Sequence, residues 1–174
     1  MKKKLKYSLK NNHIIRFYLR HPTDKYYSGI VLNFTKNIIV FQDETDFELG
    51  SVSIMPKSQI KGVRLSKYEK VWHKVLKNSG GLESLCKKPW VVKIDSIKRA
   101  LELLEKKGIW PAVEVKHSKK DTGLYLGPIT KIKKSSFTQN CYDSAGKWDG
   151  EYRIKFKDVF CIQVFHQYTK KFNN

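Results

Sequence analysis

Long apolar runs are missing from this chain of 174 residues. Runs such as Ile38-Ile39-Val40-Phe41 and Trp90-Val91-Val92 fall far short of the ~20 residues that a membrane-spanning helix requires. No membrane partner is therefore expected. Met1-Lys2-Lys3-Lys4 is positive like the head of a secretory signal, but Leu5-Lys6-Tyr7-Ser8-Leu9-Lys10 is no apolar core. Cysteine is scarce. Cys86, Cys141 and Cys161 are an odd count without close spacing, which gives neither a disulfide framework nor a zinc pattern and suits a reducing, cytoplasmic compartment. The five histidines, His13, His21, His73, His117 and His166, show no metal-ligand spacing. There is no glycine-rich phosphate loop, since Ser79-Gly80-Gly81 reads as the end of a helix, and no Ser or Cys sits in a nucleophile elbow. Carboxylates are few and fall mostly in turns: Asp43, Glu44, Asp46, Asp143, Asp149 and Asp158. His21 near Asp24 and His117 near Asp121 read as turn residues with local side-chain-to-backbone bonds. No enzyme activity, cofactor or metal is expected.

What the chain has in excess is positive charge. The formal net charge is +19, with lysine supplying 30 of the 35 basic residues and arginine 5. Such a field favours anionic partners: nucleic acid, or an acidic protein. Counted along the chain the charge is even, with 12 basic and 5 acidic residues in 1–66, 11 and 5 in 67–110, and 12 and 6 in 111–174. Lysine richness together with abundant Asn and Ile is also what an AT-rich genome writes onto any protein.

The chain also repeats itself. Tyr27-x-Gly29 matches Tyr125-x-Gly127, Ile54 matches Ile154 and Ile60 matches Val159. A repeat of that length means a duplicated small domain rather than a solenoid. In the first copy His13 to Arg20 alternates with strand periodicity, and Tyr26 to Phe34, Ile38 to Asp43, Glu48 to Met55 and Ile60 to Leu65 follow as strands. In the second copy Pro111 to His117, Leu124 to Lys133, Phe137 to Tyr142, Trp148 to Phe156 and Val159 to Phe165 repeat that order. Each copy has a tight turn before its last strand, at Pro56-Lys57-Ser58-Gln59 and at Lys157-Asp158. Five short bent strands with such a turn describe an SH3-like or Sm-like small barrel. Between the copies, Tyr68, Val71, Trp72, Val75 and Leu76 fall at helical spacing. A second helix is predicted from Asp95 as N-cap, with Ile97, Leu101 and Leu104 on its inner face, Glu102 paired to Lys106 and a stop at Gly108. The expected fold is mainly β with a helical linker (α+β): residues 1–66 a first barrel with a basic leader, 67–110 the linker with helices near 67–78 and 95–107, and 111–174 a second barrel.

Through Asp46-Phe47-Glu48-Leu49-Gly50, Ile60, and the helix Lys67-Tyr68-Glu69-Lys70-Val71-Trp72, matched by Gly127-Pro128-Ile129, Gly146-Lys147-Trp148-Asp149 and Val159 through Tyr168, the chain resembles Sm-like small barrels. It is similar to a group of bacterial proteins with two such barrels around a helical linker. The resemblance covers nearly the whole chain and implies a fold for a bacterial or phage protein, without an activity. Sm proteins hold RNA bases with Asp-x-x-x-Asn after the strand-two glycine and Arg-Gly near strand five. Here Thr35 stands six residues after Gly29 and only Asn37 and Lys61-Gly62 remain, while the second copy has Lys133-Lys134-Ser135-Ser136 and Phe160-Cys161. Ring assembly on RNA is not implied.

The strongest candidate site is a basic stripe in the second copy. Arg153, Lys155 and Lys157 alternate with Ile154 and Phe156, and Lys131 and Lys133 flank Ile132, so strand geometry points these cations to one face. Lys134, Asn37 and Lys61 complete the candidate nucleic-acid contacts, and Tyr125, Phe137 and Tyr142 are candidates for base stacking. A non-enzymatic binding protein is expected, with RNA or DNA as partner. The alternatives are an inhibitor or immunity-type protein that plugs an acidic partner, or an outer sheet face that uses lysine for solubility.

Overall fold

A computed structural model describes residues 1–20, 25–118 and 121–165. The turn at 21–24, with its His21 and Asp24, and His166 lie outside the described residues. The fold is mainly β, with three α-helices and eleven strands among those residues.

The basic leader is a helix, α1 (Lys2–Asn11), which sequence periodicity did not indicate. Only Leu5 and Ser8 of its ten residues are buried, too sparse an apolar stripe to be read as amphipathic. Ser8 fixes it in place. Its hydroxyl donates to the carbonyl of His13 at 2.6 Å and accepts the Val31 N–H at 3.0 Å. Asn12, in the left-handed region at φ 49°, ends the helix and passes the chain into a meander: β1 (Ile14–Leu19), β2 (Tyr26–Phe34), β3 (Ile38–Thr45), β4 (Glu48–Pro56) and, after a single 3-10 turn at Lys57–Gln59, β5 (Ile60–Arg64). All pairs are antiparallel and the order is β5-β1-β2-β3-β4. Gly29 allows β2 and β3 to close up, since a Cβ there would lie 2.3 Å from the Gln42 carbonyl oxygen.

The remaining strands are β6 (Ala112–Lys116), β7 (Thr122–Leu126), β8 (Ile129–Ile132), β9 (Ser136–Tyr142), β10 (Trp148–Lys155) and, after a 3-10 turn at Phe156–Asp158, β11 (Val159–Val164). They pair as β11-β6-β7 and as β10-β9-β8. The single predicted strand over 124–133 is thus two, broken at Gly127-Pro128. Proline supplies no N–H to a ladder, and Gly127 sits at φ 146° with its would-be Cβ 2.0 Å from the Asn140 carbonyl oxygen.

Two separate sheets were expected from the repeat. The structure corrects this: β4 pairs with β11 through Ile54↔Ile162, Ser53↔Gln163 and Val52↔Val164, which makes one sheet of eight strands. Edge strands present a row of unpaired N–H and C=O groups, and here two edges satisfy each other. Ile38, Val40, Val52 and Ile54 from the first strands share one core with Val113, Phe137, Ile154 and Ile162.

Helix α3 (Ile97–Lys106) packs on that core with Ala100, Leu101 and Leu104 fully buried. Its N-cap is Ser96, accepting the Arg99 N–H at 3.2 Å, rather than Asp95. Glu102 pairs with Lys98 and Arg99 rather than Lys106. Trp90 and Val91 pack into the junction while Val92 is exposed. Helix α2 (Lys67–Asn78) is turned from the expected orientation. Tyr68, Val71 and Val75 are exposed, Trp72 is half-buried, and the inward positions are Glu69 and Leu76. The cause is the capping box: Glu69 bonds back to the Ser66 N–H and side chain at 2.7 Å each and receives Arg64 at 2.8 Å, which pulls that face of the first turn inward.

Candidate nucleic-acid interface

The three-stranded sheet β10-β9-β8 builds the basic face. Pairing aligns Lys131 with Thr138 and Thr138 with Arg153, so these three side chains share one side of the sheet. One step along, the Lys133 N–H closes the hairpin on the Ser136 carbonyl at 2.8 Å, and Ser136 pairs with Lys155. The other side carries Ile132, Phe137 and Ile154, whose attachment to the core decides which side the cations must take. Two cross-sheet rows result, Lys131–Thr138–Arg153 and Lys133–Ser136–Lys155. Standard strand spacing puts the two cations of a row ~10 Å apart and the rows ~7 Å apart.

All four cations are exposed, while Ser136 and Thr138 between them are buried. Arg153 is held in place, donating from Nε to the Ser136 hydroxyl at 3.2 Å. Among the described residues none of the four has a carboxylate at ion-pair distance.

The other expected contacts divide. Lys157 is exposed in the 3-10 turn after β10, so strand alternation does not govern it. It lies at the mouth of a groove of about 510 Å³, between the β2–β3 turn and the start of α3, where Asn37, Lys36 and Lys57 also lie. Asn37 therefore joins the basic region although it comes from the other half of the chain. Lys36 and Lys57 were not singled out from sequence; a lysine in each of two turns carries no periodic signal. Lys57 donates to the Thr35 carbonyl and lies 5.1 Å from the Phe34 ring centre, and burial together with nearby Lys2 holds its pKa below the usual lysine value. Lys134 is exposed at the tip of the β8–β9 turn, beside the rows. Lys61 is exposed in β5, the edge strand at the far end of the eight-stranded sheet, and is not brought to this face.

The stacking candidates are mostly occupied. Phe137 is fully buried, Tyr142 stacks on Trp110 at 5.2 Å and 16°, and Tyr125 meets Tyr152 edge-on at 5.1 Å. An accessible aromatic on this sheet is one that sequence reasoning did not offer for stacking, Trp148 at the start of β10, which is 66% exposed. Its signal was an apolar ring beginning a strand whose alternate residues are charged. His117 sits in a bend with its backbone N–H on the Asp121 carbonyl at 3.0 Å, but its ring meets Tyr125 rather than a backbone group. Among the described residues no group of three or more ligand-type side chains is placed to hold a metal ion, and no helix is long and apolar enough to cross a membrane. No family model, characterised protein or solved structure matches the chain at a significant level.

Proposed function

We propose that the chain is a non-enzymatic binding protein that takes up a polyanion, RNA or DNA, across the β8–β10 face. The observation that carries this reading is the pair of exposed, unpaired cation rows, continued by Lys157 into the groove with Asn37 and Lys36. Phosphate contacts of this kind position a nucleic acid without reading its sequence, and Trp148 offers one face for a base.

The same reading takes residues 1–66 and 111–174 as two Sm-like small barrels, joined by 67–110 and related by duplication. Four observations support it. The orders β5-β1-β2-β3-β4 and β11-β6-β7/β8-β9-β10 are the same once β7 and β8 count as one broken strand. A helix leads into the first strand of each set, and a 3-10 turn precedes the last. The last strand of each set skips one residue against the first, at Lys61 and at Phe160. Gly29 and Gly127 both make room for a carbonyl of the third strand, Gln42 and Asn140.

The test is fluorescence anisotropy on unrelated RNA and DNA sequences over a salt series. Each lost phosphate contact should weaken binding similarly for every sequence and lower the salt slope by about one unit. Arg153→Glu/Lys155→Glu is compared with Lys70→Glu/Lys74→Glu, two exposed lysines of α2. A markedly larger loss for the first variant is expected. Equal losses would reduce the face to generic charge and transfer the reading to an acidic protein partner.

A further inference from the structure

Trp148 is the most exposed large apolar side chain among the described residues, and a slip in strand register puts it where it stands. In β10, Ile154 faces the core, so unbroken alternation would turn Tyr152, Gly150 and Trp148 to that same side. Tyr152 obeys, meeting Tyr125 edge-on at 5.1 Å. The ladder then takes in one extra residue: Gly150 pairs with Cys141, and Trp148 pairs with the next residue of β9, Tyr142. Such a bulge re-aims the side chains beyond it. β9 itself keeps its alternation, with Ser136, Thr138, Asn140 and Tyr142 on one side and Phe137, Gln139 and Cys141, all buried, on the other. Trp148 therefore shares the outer side with Arg153 and Lys155. Asp149, the inserted residue, goes the other way and accepts the Tyr152 hydroxyl at 3.2 Å.

The outer side of the β8–β10 sheet is thus sorted by chemistry along its strands. Lys133 and Lys155 flank one row, and Lys131 and Arg153 the next. The third row, Asn140 with the exposed Glu151, has no cation, and the fourth is Tyr142 with Trp148. The pairing runs from Ser136 to Tyr142 along β9, so Lys155 and Trp148 stand ~20 Å apart. Tyr142 is covered by Trp110, stacked on it at 5.2 Å. Trp148 is in no ring–ring or cation–ring pair among the described residues. Of the nearby carboxylates, Asp143 is held by the Ala145 and Lys147 N–H groups at 2.9 Å each and Asp149 by Tyr152, which leaves Glu151 on the face. Phosphate is attracted to the first two rows and repelled from the third. A base suits the remainder, because its amino groups can donate to a carboxylate and its flat face can lie on an indole.

We propose that the ligand of this face is a single-stranded nucleic acid, laid along β10 with phosphates on Lys131, Lys133, Arg153 and Lys155 and a base on the Trp148 ring. The inference rests on the reading of β8–β10 as the polyanion face and narrows it. A duplex keeps its bases stacked on one another and its phosphates outermost. It would gain nothing from Trp148 and would carry a dense line of phosphate towards Glu151. An unpaired strand can turn its bases away from its backbone, which the two ends of this face require.

The experiment is fluorescence anisotropy of the full chain with an unstructured 12-nucleotide strand, as DNA and as RNA, alone and annealed to its complement. The strand should bind at least tenfold tighter than the duplex for at least one of the two chemistries, and should quench tryptophan fluorescence. Trp148→Ala should weaken the strand by roughly 5- to 150-fold, the range for one lost stacking contact. It should leave the salt slope unchanged, because no phosphate contact is lost, and the duplex within twofold. Trp148→Phe, which keeps a ring, should stay within threefold of the parent and lack most of the quenching. Arg153→Glu/Lys155→Glu should weaken strand and duplex alike. If the duplex binds as tightly as the strand, or if Trp148→Ala stays within twofold on the strand, the single-strand assignment is overturned while the phosphate face stands. If neither form binds, or if Arg153→Glu/Lys155→Glu loses no more than Lys70→Glu/Lys74→Glu, the polyanion reading itself falls and this inference with it.

Discussion

Replacing Glu69 with glutamine changes one oxygen to an NH₂ group in a side chain that is 1% exposed. Oε1 receives Arg64 through both Nε and a terminal nitrogen at 2.8 Å, and Oε2 receives the Ser66 N–H and hydroxyl at 2.7 Å. An amide can keep one of these sets only. With its oxygen toward Arg64, its NH₂ confronts the Ser66 N–H donor to donor. A buried donor left without an acceptor costs ~1–3 kcal/mol. Breaking a fully buried ion pair would add several more, but Arg64 is 33% exposed and water takes over part of its solvation, so ~1 kcal/mol is the right allowance. The expected loss is ~3 kcal/mol, a large share of a small protein's total stability.

Urea unfolding at pH 7, followed by circular dichroism, measures it as a lower midpoint at unchanged slope. The pH dependence gives a second check. Burial pushes the Glu69 carboxyl up, but the bonds from Arg64 and Ser66 outweigh it and hold the group below the usual glutamate range. For a depressed acid, the stabilisation is complete above the unfolded-state pKa and disappears as pH falls through the folded one. The gap between parent and Glu69→Gln should therefore be full at neutral pH and close in acid. A loss under ~1 kcal/mol, no greater than that of the exposed Glu83→Gln, would refute the account of α2 as a helix docked through its capping box.

Leu104→Ala, at a fully buried site where α3 meets the shared core, should cost ~2–5 kcal/mol in the same assay. Gly127→Ala should cost ~2–4 kcal/mol, since the new methyl would lie 2.0 Å from the Asn140 carbonyl oxygen at a backbone φ of 146°; a thermal midpoint unchanged from the parent would contradict the close approach. Asp43 titrates in the opposite sense to Glu69. Burial raises its pKa from 3.8 to about 6, so the native state binds the proton more tightly and stability falls as pH rises between those values, by at most ~3 kcal/mol. Subtracting the pH–stability profile of Asp43→Asn from that of the parent should isolate this fall, free of Glu44, Glu69 and His73.

Strand alternation carried most of the fold. Ile15, Phe17 and Leu19 are buried and Arg16 and Tyr18 only half so, which is the pattern read from sequence. What escaped was whatever backbone rather than side chains decide. The β4–β11 ladder is made of N–H and C=O groups that every residue possesses, and its one side-chain trace is that Val52, Ser53 and Ile54 are buried in succession. A strand covered on both faces loses its alternation, and Ser51 and Ser53 both donate to Asp43. Helix α2 failed for a related reason. Its apolar residues outnumber its inward positions, and a buried glutamate, held by two arginines and a cap, took the place a hydrophobic stripe seemed to claim.

The basic face is period-two arithmetic: Ile132, Phe137 and Ile154 must face the core, so Lys131, Arg153 and Lys155 must face away, and pairing across β9 aligns them. The acids of the β3–β4 hairpin follow the same alternation: Asp43 pairs with Gly29 on the side of Phe41, and Glu44 pairs with Leu49 on the side of Trp72. Counting charges in thirds of the chain averaged both regions into an even spread. In space Lys131, Lys133, Arg153 and Lys155 lie together on the β8–β10 sheet, while Asp43, Glu44, Asp46 and Glu48 lie on the β3–β4 hairpin.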